Sequence, residues 1–200
     1  MNDRPRSLPT LLAAALILGL AACGSDAGPP PLEGATMRNA FTLTSHDGRR
    51  MSSDAFAGKY RIVYFGYTHC PDVCPVDLAA IGGALRQFEQ RDPARAARLQ
   101  PIFVTTDPER DTPQVLRRFV GAFHPRLMGF TGTTEEIGNA ARTHGIMFDR
   151  LRPAAENREA YLVDHSRITV LYDPQGMPVA LVHSDQGTAA VLEQLERWIR

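Results

Sequence analysis

The sequence predicts an α/β domain, with a central mixed sheet, helices on both faces and a hairpin extension on its N-terminal side. Three observations carry this. Strand and helix signals alternate through the middle of the chain. The strand signals there are nearly continuous apolar runs, as in strands covered on both faces. The C-terminal third ends in a hairpin followed by an amphipathic helix.

The elements follow in order. Phe41-Thr42-Leu43-Thr44 alternates like a strand, and His46-Asp47-Gly48 is a hairpin turn signal. RIVYFGY at 61–67 reads as a buried strand. Leu78, Ile81, Leu85 and Phe88 then recur at helical spacing. Residues 101–106 give a second buried strand. Thr112-Pro113 is a helix start, a hydroxyl cap followed by proline, for a helix running to about Phe123. Thr133 and Glu136 form a capping-box pattern, and Gly145 after His144 closes the helix they open. Residues 168–172 and 179–183 are strands joined by the Asp173-Pro174-Gln175-Gly176 turn. Val191, Leu195 and Trp198 share one face of the last helix. This order is that of a thioredoxin-like domain with insertions. There is no internal repeat and no second domain, so residues 39–200 form one folded unit.

At 200 residues, 44% hydrophobic and 22% charged, the chain is long enough for one domain with its own core. Basic and acidic residues number 22 each. Without residues 1–22, which contain Asp3, Arg4 and Arg6, the balance is 20 basic against 21 acidic, net −1. A near-neutral body gives no electrostatic reason to bind nucleic acid.

Residues 1–22 read as a targeting segment. Arg4 and Arg6 form a positive start, and residues 11–20 are an apolar stretch shorter than the ~20 residues a membrane span needs. Leu20-Ala21-Ala22-Cys23 then has the pattern of a bacterial lipoprotein signal. Cys23 becomes the first mature residue, and its lipid anchors the protein to the cell membrane, facing the periplasm or the cell exterior. An ordinary secretory signal with Cys23 incidental is the alternative. Residues 23–38, with Gly28-Pro29-Pro30-Pro31, read as a tether with little capacity to bury surface.

Lipidation of one of three cysteines leaves Cys70 and Cys74 in an oxidising compartment, as a disulfide, a redox pair or metal ligands. They sit where a buried strand ends and a helix begins, the place where ligands bind in open α/β sheets. A helix N-terminus favours the thiolate, which is both nucleophile and metal ligand. Thiol reductases of this fold use C-x-x-C; here the spacing is one residue longer and stiffened by Pro71 and Pro75. Two thiolates so held suit a soft ion such as copper(I), with imidazole as an acceptable third ligand.

Of six histidines, His46, His124, His144 and His183 fall at turns or element ends, where a surface or capping role is expected. His69 adjoins Cys70, and neighbours on an extended chain point apart. His165 follows Tyr161-Leu162-Val163-Asp164, just before a strand whose entry passes over the start of the cysteine helix. Thioredoxins place a cis-proline there; this chain has no proline between Pro153 and Pro174. Asp72 and Asp164 add negative charge beside a site where two thiolates and Cu(I) already sum to −1, or are solvated loop acids. The segment from Asp107 to Pro113 is a turn and helix cap. Phe65 and Tyr67 are core and cleft wall.

GYTHCPDVCP at 66–75, TDPERDTP at 106–113 and YLVDHS at 161–166 together resemble the Sco/SenC family, from about Phe41 to the C-terminus. The resemblance implies a thioredoxin fold and one copper ion per monomer, held by two cysteines and a histidine matching Cys70, Cys74 and His165. It also implies a role in assembling the binuclear copper site of cytochrome c oxidase, by giving copper or by reducing the acceptor's cysteines. The partners implied are the oxidase's copper-bearing subunit or another copper chaperone. Members of the family often carry a transmembrane anchor; here lipid on Cys23 takes that place.

The competing reading is a thiol–disulfide oxidoreductase that uses Cys70 and Cys74 as a catalytic dithiol without His165. A peroxidase of this fold would need T-x-x-C, and Thr68 lies two residues before Cys70 rather than three. Zinc at a Cys-Cys-His-water site is allowed by chemistry.

Overall fold

The computed structural model describes residues 28–151 and 161–200. The targeting segment, Cys23 and the first part of the tether lie outside the described residues. The elements are β1 (Thr42–Ser45), β2 (Arg50–Ser52), β3 (Tyr60–Gly66), α1 (Val73–Arg91), α2 (Pro93–Ala97), β4 (Leu99–Thr105), α3 (Pro113–Phe123), β5 (Met128–Thr131), α4 (Thr134–Thr143), β6 (Phe148–Arg150), β7 (Val163–His165), β8 (Thr169–Tyr172), β9 (Pro178–Val182) and α5 (Thr188–Trp198).

Seven strands form one sheet in the order β2-β1-β5-β4-β3-β8-β9. β3, β4 and β5 run parallel at its centre, while β8, β9, β1 and β2 join antiparallel at the flanks. Every residue of β3 is buried, including Arg61, whose guanidinium donates to the Phe56, Lys59 and Pro174 carbonyls. Because side chains alternate along a strand, Ile62 and Tyr64 pack into the layer holding α1, α3 and α5, and Val63 and Phe65 into the α4 layer. Each such burial stabilises the fold by about 1.5–3 kcal/mol.

The helix starts work as expected. The Thr112 hydroxyl accepts from the Val115 N–H with Pro113 at the first helical position, and Thr133 with Glu136 completes a reciprocal capping box. Three details exceed the sequence pattern, the first being α2, the short helix between α1 and β4. β6 and β7 form a separate two-stranded ribbon, in register Phe148 to His165, whose three-residue strands are too short to show a period. Residues 30–38, part of the expected tether, run along the domain: the Leu32 N–H donates to the Val179 carbonyl (3.1 Å) and the Arg38 N–H to the Thr143 carbonyl (2.8 Å). Leu32 packs on the α4-side core.

The parallel pair β3–β4 ends with Gly66 beside Thr105. Seven residues past Gly66 the chain enters α1, and the ribbon carrying β7 lies across that junction. That edge of the sheet is where the chemistry-bearing side chains gather. Among the described residues, no helix is long and apolar enough to cross a membrane.

Candidate metal centre

The loop leaving β3 enters α1 without a side-chain cap: Asp72, at the cap position, makes no such hydrogen bond. The sulfur of Cys70 takes part of that role, accepting from the Cys74 N–H at 3.4 Å. Cys74 lies in the first turn of α1, fully buried, and Cys70 is half-buried; both are free thiols. Gly66 makes room for the inner sulfur. A Cβ there would stand 2.9 Å from Cys74 Sγ and 2.9 Å from the Tyr64 ring.

His165 ends β7 and reaches this pair from the opposite side. Its Nε2 lies 3.3 Å from Cys74 Sγ, and its Nδ1–H donates to the Ser166 carbonyl at 3.2 Å. That second hydrogen bond fixes the tautomer leaving Nε2 as an acceptor, the arrangement found for metal-bound histidines. Tyr64 and Tyr67 hold the ring edge-on, at 6.3 and 6.1 Å between centroids. One donor atom from each of Cys70, Cys74 and His165 lies within 4.8 Å of the other two. Sulfur and nitrogen ligands bond such ions at about 2.0–2.3 Å, so two ligands of one ion stand at most ~4.6 Å apart. The three donors already occupy nearly that span, and their chemistry fits a soft ion.

Burial governs the protonation of this group. It pushes the Cys74 thiol up to about 12, with the neighbouring Cys70 adding to the effect. The helix terminus therefore does not make Cys74 an acidic thiol; desolvation wins. An arriving cation must displace that proton, and it supplies the charge that lets the thiolate persist. Burial likewise lowers the His165 pKa, keeping the imidazole neutral and able to ligate.

A brace beneath the loop comes from the TDPERD segment. The Asp111 carboxylate, fully buried, accepts from the Thr68 N–H (3.0 Å), the Thr68 hydroxyl (2.6 Å) and the Thr105 hydroxyl (2.5 Å). Asp107 accepts from the Tyr161 hydroxyl (2.6 Å) and from Arg110 Nε. The Arg110 and Arg150 guanidiniums stack on the Tyr161 ring at 3.6 and 3.5 Å. The segment expected as a turn and cap thus also ties the cysteine loop to the strand bearing His165. His69, Asp107 and Asp111 form a second possible ligand group, but their oxygens are engaged by these donors.

Of the histidines expected at the surface or as caps, His124 and His144 stand at the ends of α3 and α4 but are buried. His46 accepts from the Gly129 N–H, and His124 from the Arg126 N–H. His144 is buried in the α4-side core, and His183 is exposed. Asp72 and Asp164 are exposed, the latter opposite Asp149 on the ribbon. Sequence reasoning missed Asp77 and Arg167. A signal for the first was present: Asp77 stands three residues after Cys74 and four before Ile81, an acid on the buried face of α1.

A helix-mouth dithiol met by an imidazole, on a thioredoxin-like scaffold, defines a class of proteins built to hold a soft metal ion or exchange electrons. The SCO1/SenC family profile matches residues 29–200, and the chain belongs to that family. It is 32% identical over 160 residues to "Protein SCO2, mitochondrial" of Saccharomyces cerevisiae, covering 80% of this chain and 52% of the relative. It is 37% identical to "Protein SCO1 homolog 1, mitochondrial" of Arabidopsis thaliana, covering 70% and 40%. The chain therefore spans about half the length of these relatives. Among solved structures, yeast Sco1 with copper bound superposes with a TM-score of 0.73 at 31% identity, covering 82% of this chain and 88% of that one. Arabidopsis thaliana ScoI with copper bound gives 0.71 at 32%, covering 80% and 97%. The expected thioredoxin-like α/β fold stands.

Proposed function

We propose that the protein carries one copper ion between Cys70 Sγ, Cys74 Sγ and His165 Nε2, and hands it as cargo to the copper-bearing subunit of cytochrome c oxidase or to another copper chaperone. The observation that carries this reading is the orientation of His165, with Nδ1–H spent on the Ser166 carbonyl and Nε2 turned to the Cys74 sulfur. The copper-bound relatives of the same fold and family support it. Because a disulfide supplies no thiolate, loading requires both cysteines reduced, which couples the cargo to redox state.

The site also bears on the oxidoreductase reading. A thiol as buried as Cys74, with its pKa raised to about 12, is a slow attacking group at neutral pH but a good ligand once a cation replaces its proton. Residues 1–22 act as a lipoprotein signal and lipid on Cys23 anchors the chain, with the tether passing from that anchor to the domain. The copper site then works outside the cytoplasm, in the periplasm or at the cell exterior.

The test is anaerobic titration of the reduced protein with Cu(I) against a competing chelator. One ion per monomer is expected, and Cys70→Ser, Cys74→Ser or His165→Ala each weakens binding by ~10-fold or more. Retention of wild-type affinity by His165→Ala contradicts the triad.

A further inference from the structure

A carboxylate lies buried behind the two sulfurs, and the site as described does not use it. Asp77 is fully buried in α1, three residues after Cys74. An unpaired buried carboxylate is strongly disfavoured, so its partner matters. That partner is Arg167, two residues past His165. Arg167 Nε meets Asp77 Oδ2 at 2.8 Å and Nη2 meets Oδ1 at 2.6 Å, the two-pronged geometry that fixes orientation as well as distance. Tyr64 completes the group: its hydroxyl donates to Asp77 Oδ2 at 3.1 Å, while its ring stands edge-on to His165.

The position of this pair gives it a role. The segment carrying His165 is fastened on its outer side to the ribbon, through the Ser166 N–H to the Met147 carbonyl and the Met147 N–H to the Ser166 hydroxyl. On its inner side, among the described residues, two hydrogen-bonded contacts join it to the cysteine helix. One is His165 to Cys74 and the other is Arg167 to Asp77. With the second contact cut, the one hydrogen bond left between this segment and α1, among the described residues, is the weak one from the imidazole to the Cys74 sulfur.

We propose that Asp77 and Arg167 are positioning residues: their ion pair clamps the His165 segment to α1 and so sets the third ligand against Cys70 and Cys74. This rests on the copper triad proposed above and specifies what completes it. Two thiolates alone suffice for Cu(I), whereas the harder Cu(II) depends more on nitrogen. The clamp therefore also sets how well the site keeps copper after oxidation.

A double-mutant cycle in the reduced, full-length protein tests this. Arg167→Ala is expected to weaken Cu(I) binding by ~10-fold, as for loss of a group that orients a ligand. In the His165→Ala background the same change is expected to alter affinity less than about two-fold, because the ligand it positions is gone. X-ray absorption of copper-loaded Arg167→Ala is expected to show two sulfurs and a diminished imidazole signal. Cu(II) affinity should fall further than Cu(I) affinity. Arg167→Lys, which keeps one prong, is expected to recover part of the loss. The pair is also read without metal: hydrogen exchange at the Ser166 amide, which donates to the Met147 carbonyl, should rise ~10-fold in apo Arg167→Ala. Should that variant fold poorly, Asp77→Asn with Arg167→Gln removes both charges and is expected to keep the fold with intermediate affinity. An equal loss in both backgrounds, or unchanged affinity and exchange in Arg167→Ala, overturns the clamp while leaving the triad standing. A wild-type affinity that His165→Ala does not change overturns both.

Discussion

His144 and His165 are both withdrawn from water, and desolvation lowers the pKa of each. They differ in what their nitrogens face. His144, 1% exposed, sits among Phe41, Phe65 and Tyr172, with Nδ1 on the Ala140 carbonyl (2.7 Å) and Nε2 on the Asn39 side chain (3.1 Å). Both nitrogens are spent. His165 anchors one nitrogen on a neighbouring carbonyl and turns the other toward a thiol. Burial therefore makes an imidazole neutral in both places, and the second partner decides whether that neutral ring is a core side chain or a ligand.

Exchanging the two residues' fates breaks the comparison most sharply. His165→Ala should cost ~10-fold or more in copper affinity with little change in stability. His144→Ala should leave copper affinity within two-fold and destabilise by about 2–4 kcal/mol, as for other large-to-small core changes. Chelator competition and urea unfolding of the same two proteins read both outcomes.

Acid should cost stability through both rings, and for His144 the window can be placed. The His144 pKa stands at about 4 in the folded protein against an ordinary 6.5, so the unfolded chain takes up the proton first as pH falls. Its contribution is complete above ~6.5 and lost progressively between about 6.5 and 4, amounting to about 3 kcal/mol. Urea midpoints measured across that window should fall, and His144→Gln should flatten the dependence.

Packing around the thiol sharpens the contrast further. Gly66→Ala puts a methyl 2.9 Å from Cys74 Sγ and should destabilise by about 1–3 kcal/mol while weakening copper binding. Gly121→Ala in α3, where an added Cβ meets nothing within 4 Å, should instead stabilise by about 0.5–1 kcal/mol without touching copper. Thermal unfolding of the two variants tests the opposite signs.

The centre of this domain was legible because its signals are local. A nearly continuous apolar strand, two hydroxyl caps and a dithiol at a strand–helix junction each depend on residues a few positions apart. His165 could be placed because one strand entry must pass over the cysteine helix. What stayed hidden depends on separation in sequence. Arg167 meets Asp77 across 90 positions, and Tyr161 meets Asp107 across 54. No period or spacing announces such pairs. An acid on the buried face of α1 was the only local hint, and it names a need for a partner without naming which one.

X-ray absorption of the reduced protein loaded with one equivalent of Cu(I) bears most directly on the central claim, that an imidazole from β7 shares one ion with the sulfurs of the loop into α1 and of its first turn. Two sulfur neighbours and one histidine nitrogen are predicted, the nitrogen signal vanishing in His165→Ala. A spectrum of sulfur alone, identical in that variant, would contradict the account.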